Sequence, residues 1–247
     1  MELQPLKIGL DIGTTLINHS AGYILGLLIN NEKFFNQYNN ITYWQASIRH
    51  NPKQVTINEL ESHLNLIRKI AQKVGMDTQF NVVDFYKQRD IKIQKFNAGK
   101  QGIIGAITQI EPNYEFNKFI SDIKVPLLNS PIEIKKAFLC GVFDGRSSYD
   151  KTAKFISLDF EGEDVGELLC QLFESLGVKY NSNYSRERKQ GGKPRKNQIR
   201  IKHIPFLTEI GFISPARFAK ATINITDDYE IINDSENLAG LKKIKLL

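Results

Sequence analysis

Cysteine and histidine are scarce in this 247-residue sequence, with two of the first and four of the second. Cys140 and Cys170 both fall on apolar stripes of helical spacing. They read as two buried thiols rather than a disulfide. Without a Cys/His cluster, a structural zinc is not expected to organise the fold. No apolar run is long enough to span a membrane. The N-terminus also lacks the basic start and apolar core of a secretory signal. These absences predict an intracellular protein, of a bacterial cytoplasm or an organelle matrix, with no membrane partner. Acids are outnumbered, 27 against 33 Lys and Arg, for a net charge of +6 and a pI near 9.1. That balance mildly favours an anionic partner and by itself leaves nucleic acid, membrane surface and plain solubility open. What is present, 41% hydrophobic and 24% charged residues, suffices for one large core or two small ones.

The segment GLDIGTT at 9–15 is similar to the first phosphate loop of the actin and sugar-kinase superfamily. That fold needs a longer chain and a second glycine-rich loop, and neither is here. The segment reads instead as an arm leading into a helix, with Asn18 or Ser20 as N-cap.

A search for internal repeats is more informative. INHSAGYILGLLINN (17–31) and PIEIKKAFLCGVFDG (131–145) are both apolar helices with a central glycine, Gly26 and Gly141, 115 residues apart. In the second copy Ile134, Ala137, Phe138, Gly141 and Val142 trace one buried helix face. A mid-helix glycine is unfavourable by up to about 1 kcal/mol relative to Ala, and close contact between helix backbones is the usual compensation. The order of elements after each helix repeats too. In the first half come EKFFNQYNN and ITYWQASIRH as strands, then an amphipathic helix with Leu60, Leu64, Ile67, Ala71 and Val74 on one face. FNVVDFYKQRD and IKIQKF form a second strand pair, and IIGAITQI (103–110) is a short closing helix. In the second half RSSYD and AKFISLDFEG precede a helix carrying Val165, Leu168, Leu169, Leu172, Phe173 and Leu176. KYNSNYSRERK, a GGKP turn and NQIRIKH come next, with IPFLTEIGF (204–212) as the closing helix.

This pattern resembles the LAGLIDADG homing endonucleases in their single-chain, two-motif form. LGLLINNE (25–32) and LCGVFDGRS (139–147) are the motif copies. The resemblance covers nearly the whole chain and implies an α+β fold of two pseudo-symmetric αββαββα repeats. It implies two antiparallel four-stranded sheets forming a DNA-binding saddle, with the motif helices packed at the centre through Gly22, Gly26 and Gly141. The expected boundaries are an arm at 1–16, a first repeat at 17–112, a linker at 113–130, a second repeat at 131–213 and a tail at 214–247.

In that family the penultimate motif position carries a metal-binding acid. Here it holds Asn31 in the first copy and Arg146 in the second. Magnesium needs anionic oxygen ligands, whereas Asn31 offers a neutral carbonyl and Arg146 a cation. Glu32 and Asp144 are the nearest candidate surrogates, although the resemblance also matches Asp144 to a non-catalytic aspartate of the motif that caps the helix end or orients a neighbour. One or two steps along a helix, at roughly 100° each, turn them away from the position itself. Arg146 is read as a phosphate contact replacing the metal's charge.

The remaining nucleic-acid candidates come from strand parity and charge. Between Lys179 and Lys202 there are nine basic residues and one acid, Glu187. Ile199 and Ile201 should face a core, leaving Gln198, Arg200 and Lys202 outward. By the same logic Lys92 and Gln94 point out. Tyr43, Gln45, Ser47 and Arg49 share a strand face, and Asn36 adds an amide. Arg186, Arg188, Lys193, Arg195 and Lys196 complete the basic ribbon. Arg and Gln suit base edges and Lys suits phosphates. The expectation is a monomer that binds double-stranded DNA sequence-specifically without cleaving it, as the recognition module of a regulator or restriction-type system. No cofactor is expected, Mg²⁺ entering only with cleavage. The alternatives are a site-specific homing endonuclease and a maturase bound to structured intron RNA.

Overall fold

The computed structural model describes residues 19–29, 35–38, 41–50, 66–67, 69–70, 80–84, 102–110, 116–160, 162–183, 197–222, 229–233 and 239–243. Helix α1 (His19–Leu28) is followed by strands β1 (Phe35–Tyr38), β2 (Ile41–His50), β3 (Phe80–Asp84) and β4 (Gly102–Ile110). Between β2 and β3, Ile67 and Ile70 are helical and buried. Helices α2 (Phe116–Leu128) and α3 (Ile132–Arg146) lead to β5 (Ser148–Asp150), β6 (Phe155–Phe160), α4 (Glu163–Ser175), β7 (Tyr180–Ser182) and β8 (Asn197–Lys202). Helices α5 (His203–Glu209) and α6 (Pro215–Thr222) and strands β9 (Tyr229–Asn233) and β10 (Ala239–Lys243) complete the described elements.

The architecture is α+β. Strands β5 to β8 make an antiparallel sheet in the order β5-β6-β8-β7, and β1 to β4 pair antiparallel as β1-β2-β4-β3. The hairpin connecting β5 to β6 is closed by Asp150, whose Oδ1 accepts the backbone N–H of Thr152 and Ala153. This is the local Asx geometry that makes aspartate a turn former. Strands β9 and β10 form a separate antiparallel pair.

Helix α3 sits at the centre. Its first turn carries Glu133 and its last Arg146, both matched to the helix dipole. The sequence stripe predicts one buried face, but the structure buries Ile134 and every residue from Ala137 to Gly145. A stripe anticipates one partner, and α3 has several: α1, α2, β2 and β6 all pack on it. Phe143 meets the rings of Phe173 from α4 and Phe206 from α5, with centroids 5.9 and 4.8 Å apart. On α4, Val165, Leu168, Leu169, Leu172 and Phe173 are buried as their spacing requires, with Leu176 packed against the same core. Both cysteines are buried and free.

One expectation is corrected. Residues 103–110 are strand β4 and not a closing helix; they pair with β2 and β3 along nearly their full length. Four isoleucines and a threonine within GIIGAITQI suit a pleated surface better than a helix. Residues 116–128, within the expected linker, are helical, Pro126 included. Ile120, Ile123 and Leu127 form a buried stripe at helical spacing, which outweighs the hydrogen bond that Pro126 removes. The region expected as a tail contains α6, β9 and β10. The strand expected at IKIQKF lies outside the described residues. Among the described residues no helix is long and apolar enough to cross a membrane.

Candidate nucleic-acid interface

The centre of the site is the contact between α1 and α3. A Cβ placed on Gly26 would overlap the carbonyl oxygen of Phe138 and lie 2.9 Å from the backbone nitrogen of Val142. One on Gly141 would overlap the carbonyl oxygen of Tyr23 and lie 3.1 Å from the nitrogen of Leu27. Gly22 is less tightly held, its nearest neighbour being the Ile134 carbonyl at 3.0 Å. The two helices thus touch backbone to backbone, as the paired central glycines predict, and this fixes where the C-terminal end of α3 emerges.

At that end Asp144 turns inward and has no exposed surface. Its Oδ2 accepts the hydroxyl of Tyr23 at 2.9 Å and the backbone N–H of Ile213 at 3.0 Å. The N–H of Ser214 reaches both carboxylate oxygens at 3.2 Å, and the thiol of Cys140 lies 3.8 Å from Oδ2. Burial pushes the Asp144 carboxyl up to about 6, against the pull of Arg217 and these donors. Burial, reinforced by the adjacent carboxylate, also raises the Tyr23 hydroxyl and the Cys140 thiol, so both remain protonated donors.

Arg217 completes the cluster from the opposite direction. Its Nε donates to the Asp144 carbonyl at 2.8 Å, and its terminal nitrogens reach the carbonyls of Ser147 and Gly145 and the Ser147 hydroxyl. These are carbonyls that the last turn of α3 leaves without helical partners. Ser214 caps α6, its hydroxyl accepting the Arg217 N–H at 3.4 Å, with Pro215 in the first helical position. The two helix ends therefore cap each other. Asp144 from α3 serves the amides entering α6, and Arg217 from α6 serves the carbonyls leaving α3. Burial lowers the Arg217 guanidinium to about 10, opposed by Asp144.

Arg146 is the last residue of α3 and is half-buried. Asn31 and Glu32 lie outside the described residues. Among the described residues no group of three or more His, Cys, Asp or Glu side chains is arranged to hold a metal ion. The residues that are described at the motif end do not fit one: a guanidinium stands at the second motif position, and the nearest carboxylate is enclosed by donors.

The outer face of the β5-β6-β8-β7 sheet carries the polar candidates. Ile199 and Ile201 are buried, so Gln198, Arg200 and Lys202 stand on the other face. Gln198 and Arg200 are half-buried and Lys202 is exposed. Gln198 pairs across the sheet with Asp159, Arg200 with Ser157, and Lys202 with Phe155. Asn36, Tyr43, Gln45, Ser47 and Arg49 lie on paired strands, with Asn36 opposite Tyr43 and the other three of β2 at alternate positions beside β4. Lys92, Gln94, Arg186, Arg188, Lys193, Arg195 and Lys196 lie outside the described residues. Sequence reasoning missed Arg217, Tyr23, Phe155 and Asp159. For Arg217 a signal existed: Ser-Pro at 214–215 is a helix-start signature.

No family model and no curated protein matches the sequence. Solved structures do match in three dimensions. I-DmoI in complex with DNA and Ca aligns with a TM-score of 0.50 at 14% identity, over 83% of this chain and 98% of that one. A structure from a study of mesophilic variants of the homing endonuclease I-DmoI gives 0.47 at 13%, over 84% and 97%. The N-terminal LAGLIDADG domain of DUF199/WhiA gives 0.40 at 10%, over 92% and 97%. The glycine-lined helix pair, the antiparallel sheet beside it and the I-DmoI alignment give one conclusion: the chain has a LAGLIDADG-type fold.

Proposed function

We propose that this chain is a sequence-specific double-stranded DNA-binding protein with no cleavage activity of its own. It serves as the recognition module of a regulator or restriction-type system. In this reading the two halves are pseudo-symmetric αββαββα repeats whose sheets form one saddle, so that a monomer presents both halves of the binding surface. The observation that carries the proposal is the C-terminal end of α3. Arg146 occupies the position where the resembling nucleases hold an acid, and Asp144, the adjacent carboxylate, is buried among four protein donors. A site built this way attracts phosphate and does not assemble a magnesium ion. The I-DmoI complex with DNA and Ca supports DNA as the partner in this reading.

The test has two arms. Selection from a random duplex library in EDTA should return a defined site, and Mg²⁺ added to the selected duplex should produce no nick. Nicking would establish the endonuclease instead. Tighter binding to structured intron RNA than to any duplex would establish the maturase reading.

Arg146 gives a sharper expectation. Arg146→Ala should weaken binding about tenfold and reduce the slope of log K against log salt by about 1, uniformly across sequences. Unchanged affinity and slope in a fluorescence titration from 50 to 200 mM salt would remove Arg146 from the interface.

A further inference from the structure

The outward side chains of β8 are held in place by neighbours on β5 and β6. Nε2 of Gln198 donates to Oδ1 of Asp159 at 2.8 Å. The amide nitrogen therefore faces Asp159, which sets the orientation of the Gln198 amide. One N–H of Gln198 is engaged there. Its second N–H and its carbonyl oxygen give the amide one further donor and an acceptor. That pair is complementary to adenine, whose N7 accepts and whose N6 donates in the major groove.

Two residues on, the Arg200 guanidinium lies over the Phe155 ring, its central carbon 4.6 Å from the centroid, with a terminal nitrogen 3.9 Å from Oδ2 of Asp150. The ring contact and the Asp150 carboxylate restrain the guanidinium while its side chain stays partly exposed. A forked pair of donors is complementary to O6 and N7 of guanine. Lys202 also lies over Phe155, its Nζ 4.1 Å from the ring centroid and 3.2 Å from the Ala153 carbonyl.

We infer that Gln198 and Arg200 form a pre-set reading strip for adenine and guanine, and that Asp159 and Phe155 are the positioning residues that fix what each one reads. Alternate residues of a strand are about 6.8 Å apart. Stacked bases rise by about 3.4 Å along a strand of duplex. The strip therefore spans about two base-pair steps, and the site should carry A·T and G·C two steps apart. This inference rests on the DNA-binding reading above and adds to it the identity and spacing of two bases.

Site selection in EDTA with the full chain tests it, using four proteins: the unaltered chain, Gln198→Ala, Asp159→Ala and Phe155→Leu. Circular dichroism melting confirms that each is folded. The unaltered chain should prefer the correct base by about 5- to 150-fold at each of the two positions. Gln198→Ala should erase the adenine preference only. Asp159→Ala should relax it at the same position while leaving the salt slope unchanged, and Phe155→Leu should relax the guanine preference. A defined consensus that is indifferent to Gln198→Ala and Asp159→Ala overturns the strip and leaves duplex recognition standing. Failure to enrich any duplex, or preference for structured RNA, overturns both.

Discussion

Replacing Asp144 with alanine is expected to lower folding stability by about 3–5 kcal/mol, read as a shift of the urea midpoint at pH 7. Asp144 is fully buried, and its loss strands Tyr23 Oη, the Ile213 and Ser214 amides and the charge of Arg217. Each stranded donor is costly away from water, and an uncompensated cation more so. Arg217→Ala should be damaging for the mirror-image reason, because it leaves a buried carboxylate and bare helix carbonyls. The double replacement should cost less than the two single losses added together, since each single change includes the cost of the abandoned partner.

The same residue sets a pH dependence. Asp144 in the folded chain titrates at about 6 against an ordinary 3.8. Between about pH 4 and 6 the native state therefore holds a proton that the unfolded chain has released. Stability declines as pH rises through that window, by about 3 kcal/mol in all at about 1.4 kcal/mol per pH unit. Asp144→Asn cannot titrate there, so its stability curve should lack this decline. If subtracting the Asp144→Asn curve from that of the unaltered chain leaves a rise between pH 4 and 6, burial does not dominate the site.

Much of this arrangement is legible in the sequence itself. Two glycines 115 residues apart in matching apolar helices imply a backbone contact, because little else offsets glycine in a helix interior. The alternation of Ile199 and Ile201 with Gln198, Arg200 and Lys202 is readable because one sheet face is buried and the side-chain period is fixed. The features that escape depend on partners distant in sequence. Ile103 to Ile110 gives an ambiguous apolar run, which only pairing with β2 and β3 settles as a strand. Asp144 and Arg217 lie 73 residues apart and meet because two helix ends abut; no local period encodes that. Asp159 and Phe155 act across a ladder whose register no local pattern supplies. The degenerate motif is visible at once, and so is a capping or orienting role for the neighbouring acid, whereas the partners Asp144 turns to are not.

Gly26→Ala is expected to destabilise the chain by about 3 kcal/mol, at the upper end of the range for overpacked interiors. Alanine at this position is intrinsically a better helix former by about 1 kcal/mol, so propensity alone predicts a gain. Sterics decide otherwise. The added methyl would overlap the Phe138 carbonyl and meet Val142 N at 2.9 Å, and both are backbone atoms that no rotamer change can move aside. The two helices must separate, and α3 carries with it Phe143, Asp144 and the capped end where Arg146 stands. Gly141→Ala meets the Tyr23 carbonyl in the same way and should behave alike. Gly22→Ala supplies the contrast. Its nearest obstacle lies 3.0 Å away, a few tenths of an ångström from ordinary contact, so steric cost and propensity gain should nearly cancel. Denaturant unfolding of the three variants side by side distinguishes a close-packed helix pair from a loose one. Equal and small effects at Gly22, Gly26 and Gly141 would mean that the helices do not touch through their backbones, and the position assigned to Arg146 would fall with that contact.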